Sequence, residues 1–181
     1  PLDSGHVRFR GRDVTALPAH RRAALGMGRS FQHLGLMADE DVRTNVLAAQ
    51  HLGAGYADVD LLLRPWRWRR AERRLQQRAI EALAAAGLAD AADRPVKDLS
   101  FAAARAVELA AVLVEAPVLM LLDEPTTGLD PQARHLLWER LYRLKREGVT
   151  QCISTHYMDE AEQLCDRLGV MDGGVSVAGG S

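Results

Sequence analysis

Five apolar residues, Val118 to Leu122, form a run that no polar residue interrupts. Such a run is typical of a strand buried on both faces of a parallel sheet. Asp123 and Glu124 follow it, and Pro125 ends the pairing because proline has no backbone N–H. Parallel sheets bind ligands at the carboxyl ends of their strands, so these carboxylates are predicted to lie at a ligand site. The alternative is a solvated strand end.

Hydrophobic periodicity predicts the other elements. A second buried strand, over 149–155, ends just before His156, and alternating residues predict a half-exposed strand at 7–9, followed by a turn at 11–13. Apolar residues at three- and four-residue spacing predict helices, with Ile80 and Leu136 among the buried positions. The helices span 18–25, 41–53, 71–86, 101–113, 131–147 and 158–165, and a C-terminal hairpin joins 168–171 to 175–177.

Composition fits an ordinary globular domain. The chain has 181 residues, of which 48% are apolar and 26% charged, enough for one domain with a core. The formal net charge of −1 gives no support for binding of nucleic acid or of an anionic membrane by the chain as a whole. Cys152 and Cys165 form no C-x-x-C motif, so a disulfide framework is not expected. The sequence contains no run of 18 or more apolar residues, which is the length that a transmembrane helix needs.

One local cluster departs from this balance. Arginines recur between Arg64 and Arg78 and are interleaved with Trp66 and Trp68. Such a cluster could bind nucleic acid or lipid. The alternative, which we favour, is a solvated helix face whose arginine stems cover apolar surface.

The segments 121–125, Leu-Leu-Asp-Glu-Pro, and 128–131, Gly-Leu-Asp-Pro, together resemble the Walker B motif and D-loop of an ATP-binding cassette (ABC) ATPase. Other family motifs follow the expected order along nearly all of the chain. Gly26 to His33 resembles the strand and Q-loop, Asp98 to Ala110 occupies the signature position, and Ser154-Thr155-His156 is similar to the switch-histidine segment.

The resemblance implies site residues for Mg²⁺ and ATP. Asp123 would help to hold the Mg²⁺ ion, and Glu124 would act on the attacking water. Gln32 would reach the metal and this water, although a lone glutamine is normally a surface residue. His156 would hold the γ-phosphate through a ring N–H, the alternative being a bystander loop histidine.

Two further residues would act between cassettes. Ser100 would grip the γ-phosphate of ATP held by a second ABC subunit, because helix N-termini are anion sites. Phe101 fits the tyrosine variant of the signature, whereas the segment 102–104 carries alanines where the family has glycine and polar residues. The alternative is a plain alanine-rich helix with Ser100 as its N-cap. Asp130 would cap the next helix and contact the opposite subunit.

The implied architecture is α/β, a P-loop NTPase-like parallel sheet core with an inserted helical subdomain. Residues 1–39 would be a remnant of the N-terminal ATP-binding core, 40–112 the helical subdomain, and 113–181 the C-terminal part of the core. The sequence contains no Gly-x-x-x-x-Gly-Lys-Ser/Thr phosphate loop, and truncation downstream of that loop is its simplest explanation. We therefore expect no ATPase activity from these residues alone, and an open sheet edge that invites self-association.

The function that the resemblance implies is ATP hydrolysis coupled to transport of branched-chain amino acids or related small solutes. The partners would be a second ABC ATPase subunit and transmembrane permease subunits, without nucleic acid, at the cytoplasmic face of a bacterial-type inner or plasma membrane. The Q-loop half is most similar to importers of branched-chain amino acids, whereas the last thirty residues look more like drug exporters. A catalytically inactive ABC-like module and a cassette acting on DNA or ribosomes are the remaining alternatives.

Overall fold

The computed structural model describes residues 5–30, 35–50 and 65–180. The helices are α1 (Ala19–Ala24), α2 (Val42–Ala49), α3 (Pro65–Ala85), α4 (Phe101–Leu113), α5 (Pro131–Arg146) and α6 (Met158–Leu164). The strands are β1 (Arg8–Phe9), β2 (Arg12–Asp13), β3 (Met27–Arg29), β4 (Leu119–Asp123), β5 (Thr150–Ser154), β6 (Leu168–Asp172) and β7 (Val175–Gly180). Short 3₁₀ turns at Ala89–Ala91 and Val96–Asp98 join α3 to α4.

The central sheet has the order β3-β4-β5, and both pairings are parallel. The apolar strand β4 is therefore in the middle, with its Met120 and Leu122 buried. In this register Asp123 at the end of β4 is opposite Ser154 at the end of β5. The carboxyl ends of the strands thus bring Asp123 and Ser154 to one edge, as the sequence predicted for the acidic pair.

Helix α4 packs closely on β3 because Gly28 has no side chain. A Cβ at Gly28 would lie 2.6 Å from Cγ1 of Val112 and 3.2 Å from Cβ of Pro117. Non-bonded carbon atoms do not tolerate the first of these distances, and the second is tight. The glycine therefore sets how near the helix comes to the sheet.

The described residues bury their apolar side chains in two clusters. One joins α2, α3 and α4 around Val42, Leu83 and Val107. The other joins β4, α5 and α6 around Met120 and Leu141. Helix α4 contributes to both clusters, so it connects the helical part of the chain to the sheet. The boundaries of the three predicted segments remain a prediction.

Helix α2 begins where the sequence signals it. The Asp41 carboxylate accepts a hydrogen bond from the Thr44 backbone N–H at 2.6 Å and acts as its N-cap. That backbone hydrogen bond holds the pKa of Asp41 below its usual value, because it stabilises the ionised carboxylate. The adjoining backbone pairs with the segment that precedes α4, since the Val42 N–H donates to Arg94 O at 3.1 Å.

Several sequence expectations were wrong. Strand β5 is not buried; its side chains alternate between exposed and half-buried, because β4 is its only strand partner among the described residues. Ile80 and Leu136 are half exposed, at 50% and 49%, because no described element covers the faces of α3 and α5 on which they lie. The predicted turn at 11–13 is instead a hairpin, with Arg10 and Gly11 at its tip and 12–13 paired antiparallel to β1.

The C-terminal hairpin was predicted correctly. Strands β6 and β7 pair antiparallel in a sheet of their own, and Gly173 and Gly174, both with positive φ, form the turn between them. Every residue of both strands is exposed. Among the described helices, none combines the length and the apolar character needed to cross a bilayer.

Candidate functional site

The Asp123 carboxylate is held by its neighbour across the sheet. Ser154 donates its hydroxyl to Oδ1 of Asp123 at 2.5 Å. A hydrogen bond to an ionised oxygen is short and about twice as strong as a neutral one. No role for Ser154 was predicted from the sequence. The signal available was its position two residues before His156, at the end of a strand predicted to lie in the same sheet.

Glu124 is held in an unusual backbone conformation. Its φ is +46°, in the left-handed region that non-glycine residues rarely adopt. Its N–H donates to Ser154 O at 2.9 Å, and its carbonyl oxygen accepts from the Thr127 N–H at 3.2 Å. These bonds fix the turn that leads out of β4. Strain of this kind is concentrated at functional sites, where it aims a side chain.

Two groups contact the Glu124 carboxylate. The Thr127 hydroxyl donates to Oε2 at 3.2 Å, and Nδ1 of His156 lies 3.2 Å from Oε1. The Glu124 side chain is about one-third exposed and that of His156 about one-half, so both reach solvent. No role for Thr127 was predicted from the sequence, although it lies three residues after Glu124.

The tautomer of His156 follows from this contact. A carboxylate can only accept, so Nδ1 must carry the proton that joins it to Glu124. In the neutral ring Nε2 then has a lone pair, whereas the imidazolium would have an N–H at Nε2 as well. The His156 ring packs against the Tyr157 ring with a centroid separation of 4.2 Å. The Arg134 guanidinium lies over the Tyr157 ring, 4.4 Å from its centroid.

Ser100 and Asp130 act as helix caps. Oγ of Ser100 accepts from the Ala103 N–H at 3.2 Å at the start of α4. Oδ1 of Asp130 accepts from the Ala133 N–H at 2.9 Å at the start of α5, with Pro131 in the first turn. The predicted caps are therefore confirmed. The starts of α4 and α5 are close to each other. A Cβ at Gly128, just before α5, would lie 3.2 Å from the ring of Phe101, the first residue of α4.

The structure brings together three of the six predicted site residues, Asp123, Glu124 and His156. Ser100 and Asp130 make no hydrogen bond to those three within the described part of the chain. Gln32 lies outside the described residues. The roles of all six as ligands of nucleotide or metal remain predictions.

A cleft of about 1020 Å³ follows the free edge of β5. Its lining includes Asp123, three residues of β5 (Cys152, Ile153 and Ser154), and Leu168 and Val170 of β6. Hydrogen-bonding groups on a free strand edge are a template for a further strand. The cleft therefore offers room for added chain beside the acidic pair.

The oxygen groups at this edge fit Mg²⁺ bound together with phosphate. No cluster of three or more His, Cys, Asp or Glu side chains that could form a metal cage occurs within 5–30, 35–50 and 65–180. Mg²⁺ is usually held by one or two carboxylates, with water and substrate phosphates completing its octahedron. Asp123, with Ser154 beside it, supplies hard oxygen ligands of that kind.

Comparison with known proteins identifies the family. Residues 1–127 match the ABC transporter family. The chain belongs to that family. Nod factor export ATP-binding protein I of Burkholderia lata is 38% identical over 180 residues, an alignment that covers 99% of this chain and 53% of the relative. The chain thus spans about half the length of the curated relatives it matches.

Solved structures agree with the ABC assignment. A cassette of an ABC transporter in its ADP conformation superposes with a TM-score of 0.82 at 27% identity, covering 98% of this chain and 69% of that one. The protein cbiO1 of Clostridium perfringens, described as part of the transporter complex cbiONQ, gives 0.78 at 28%, covering 98% and 66%. The predicted fold class, a P-loop NTPase-like α/β core with a parallel sheet, is confirmed.

Proposed function

We propose that these residues form the hydrolytic side of the ATP site in an ABC transporter ATPase. The observation that carries the proposal is the convergence of two hydrogen-bonded pairs, Asp123 with Ser154 and Glu124 with His156, at the carboxyl edge of one sheet. One carboxylate is tied to a hydroxyl across the sheet, and the other is held by a strained turn and a histidine. Such different surroundings suit two different tasks.

Glu124 is proposed as the group that orients and deprotonates the attacking water. Its two oxygens accept from Thr127 and His156, and each retains a further lone pair for the water. Because the turn fixes its backbone, the carboxylate is aimed before substrate arrives, and such preorganisation lowers the barrier of phosphoryl transfer. His156 in the imidazolium form can donate to a γ-phosphate through Nε2 while keeping Nδ1 on Glu124.

Asp123, with Gln32, is proposed to hold Mg²⁺, which would neutralise developing charge on the phosphates when bound. Ser154 keeps the Asp123 side chain in one orientation, so the carboxylate need not be ordered at the moment of binding. The phosphate loop itself is not among these 181 residues. The free edge of β5 is a suitable place for a strand that carries such a loop, because the lining of the cleft there includes Asp123 and Ser154.

The start of α4 is proposed to face a nucleotide on a second ABC subunit. The Ser100 hydroxyl uses a lone pair to accept from Ala103, so its own proton is still available to a phosphate. Of the alanines at 102–104, Ala103 and Ala104 already donate their backbone N–H groups to Ser100, and all three lack the side-chain donor of the family pattern. The start of α4, together with Asp130 at the start of α5, would form the contact between two cassettes.

Export is the favoured direction of transport. The support is the 38% identity, over nearly the whole chain, to a Nod factor export ATP-binding protein. The last thirty residues of the sequence also resemble exporters, whereas only the Q-loop half favours import of branched-chain amino acids. The partners proposed are a second cassette and transmembrane permease subunits, by analogy with the cbiO1 protein, which is part of a transporter complex.

Substitution at Glu124 tests the proposal. In a protein that joins these residues to a phosphate loop, Glu124→Gln is expected to lower kcat for ATP hydrolysis by about 10²–10⁴ and to leave nucleotide binding intact, because the amide cannot accept the proton. Glu147→Gln, at the exposed end of α5, is the matched control.

The 181 residues alone are expected to show no turnover of ATP. Hydrolysis that persists in the Glu124→Gln protein, or that the unextended chain performs unaided, would refute this assignment.

A further inference from the structure

Helix α3 has two unlike faces. Leu75, Ala79, Ala82 and Leu83 are buried on one side, and the last three share a core cluster with residues of α2 and α4. Trp66, Arg70, Arg73, Arg74 and Gln77 line a shallow depression on the opposite side. We call these five residues the outer face of α3. Their spacing places them on one face of the helix, since residues three, four and seven apart are neighbours there.

The outer face is both cationic and apolar. Trp66 is 66% exposed. The five arginines of α3 whose side chains are described, namely Arg69, Arg70, Arg73, Arg74 and Arg78, are all exposed. A tryptophan with two-thirds of its surface in water is costly, so a partner that covers it is favoured.

Carboxylates of the described chain do not neutralise these arginines. No ion pair within 5–30, 35–50 and 65–180 involves them. The two acidic residues of α3 accept hydrogen bonds from glutamines, Glu72 from Gln76 and Glu81 from Gln77, and neither forms an ion pair with a described arginine of this helix. The charge of the outer face is therefore available to an external anion.

We propose that the outer face of α3 rests on an anionic phospholipid surface. Arginine forks bind phosphate oxygens in pairs, and the indole ring of tryptophan is stable at the level of the headgroups. A helix of 21 residues is about 30 Å long, which lets it lie along a membrane plane while its buried stripe stays packed on the protein.

Lipid fits the observations better than nucleic acid does. The formal net charge of −1 disfavours any anionic partner that surrounds the chain, so the partner expected is one that meets the outer face alone. A lipid surface meets one face only, and it takes up apolar Trp66 together with the charges. This inference does not depend on ATP chemistry, since lipid binding is measured without nucleotide.

Vesicle co-sedimentation tests it directly. The 181-residue protein is expected to bind vesicles of 70% phosphatidylcholine and 30% phosphatidylglycerol, and to be released by 0.5 M salt. Each arginine near such a surface contributes about five-fold to partitioning, so Arg70→Gln with Arg73→Gln should reduce it about 30-fold. Trp66→Ala should reduce it and also remove the blue shift of tryptophan emission on binding.

The matched control is Arg143→Gln with Arg146→Gln, two exposed arginines on α5. It removes the same charge and should leave partitioning nearly unchanged. Circular dichroism melts confirm that all variants fold. Equal binding to pure phosphatidylcholine vesicles, equal loss in the α5 control, or binding to an oligonucleotide but not to the vesicles would each overturn the proposal. Loss of ATP hydrolysis in a Glu124 variant would leave it unaffected.

Discussion

Ser154 and Asp123 are direct neighbours across the parallel β4–β5 pair, and the serine hydroxyl lies 2.5 Å from the aspartate oxygen Oδ1. The bond joins the last residues of two strands that are 31 positions apart in the chain. It restrains a carboxylate that would otherwise rotate freely at a solvent-exposed edge. The restraint matters because a metal-binding carboxylate works best when its own hydrogen bonds fix its orientation.

Removal of this bond should weaken metal binding more than folding. Ser154→Ala in a protein that includes the phosphate loop is expected to lower Mg²⁺ affinity in the presence of nucleotide by about 10–100-fold, the usual cost of losing an outer-sphere partner. Calorimetric titration with Mg²⁺ measures it. Ser154→Thr keeps the hydroxyl and should restore most of the affinity. Unchanged Mg²⁺ affinity in the alanine variant would show that Ser154 does not position Asp123.

A methyl group at Gly28 should push α4 away from the sheet. Gly28→Ala is expected to lower the free energy of unfolding by about 1–3 kcal/mol, because the new Cβ would lie 2.6 Å from Val112 Cγ1. Urea denaturation measures the change. Gly169→Ala in β6 is the control, since no atom outside its neighbours lies within 4 Å of the added carbon.

A double variant separates crowding from backbone effects at this position. Val112→Ala removes the methyl that clashes, so the cost of Gly28→Ala measured in that background should be smaller. Additive costs in the double variant would contradict the close approach of α4 to β3.

The cap at Asp130 is expected to stabilise α5 through its oxygen rather than its charge. Asp130→Ala should cost about 1 kcal/mol of unfolding free energy, because the Ala133 N–H loses its acceptor. Asp130→Asn keeps the acceptor and should be nearly neutral in thermal unfolding. If instead the asparagine variant loses as much stability as the alanine variant, charge at the helix N-terminus is the dominant effect.

The two thiols should differ in reactivity. Cys152 is exposed on the free edge of β5, whereas burial raises the pKa of the Cys165 thiol above its ordinary value. A raised pKa leaves less thiolate at a given pH, and the thiolate is the reactive form. In single-cysteine proteins made with Cys152→Ser or Cys165→Ser, disulfide-exchange reagents should label Cys152 first.

The dependence of the labelling rate on pH is a second measurement that distinguishes Cys152 from Cys165. The labelling rate of Cys165 should keep rising at pH values above the midpoint that the unfolded thiol shows. Both residues should react alike in 6 M guanidinium chloride, which serves as the control. Equal native rates, or a native Cys165 midpoint at or below the unfolded one, would contradict the burial of this thiol. A strand bound along β5 should protect Cys152 selectively.

Local pattern predicted the elements whose cause is local. Strand β4 could be placed because five successive apolar residues are stable only when covered on both sides. The caps at Ser100 and Asp130 could be placed because a side-chain oxygen three residues before a free N–H is a short-range arrangement. Asp123 and Glu124 directly follow the apolar run, so they were expected at the end of the strand, and they lie there.

Other features depend on neighbours that are distant in sequence. Strand β5 was predicted to be buried from its composition, yet among the described residues it pairs with β4 alone, and a strand's burial depends on what pairs with its other side. Ile80 and Leu136 fit an apolar spacing but lie where no described helix or strand covers them. Periodicity shows which face of a helix is apolar, but it does not show how much of that face a neighbouring element covers.

The sequence by itself determined the order of the helices, the helix caps and the position of two adjacent acids after an apolar strand. These follow from short-range rules that act within a few residues. Only the tertiary structure decided that Ser154 holds Asp123, that His156 and Thr127 hold Glu124, and that β5 has a free edge. Each of those contacts depends on the register between strands or on the exact turn after one, and register is set by packing across the whole sheet.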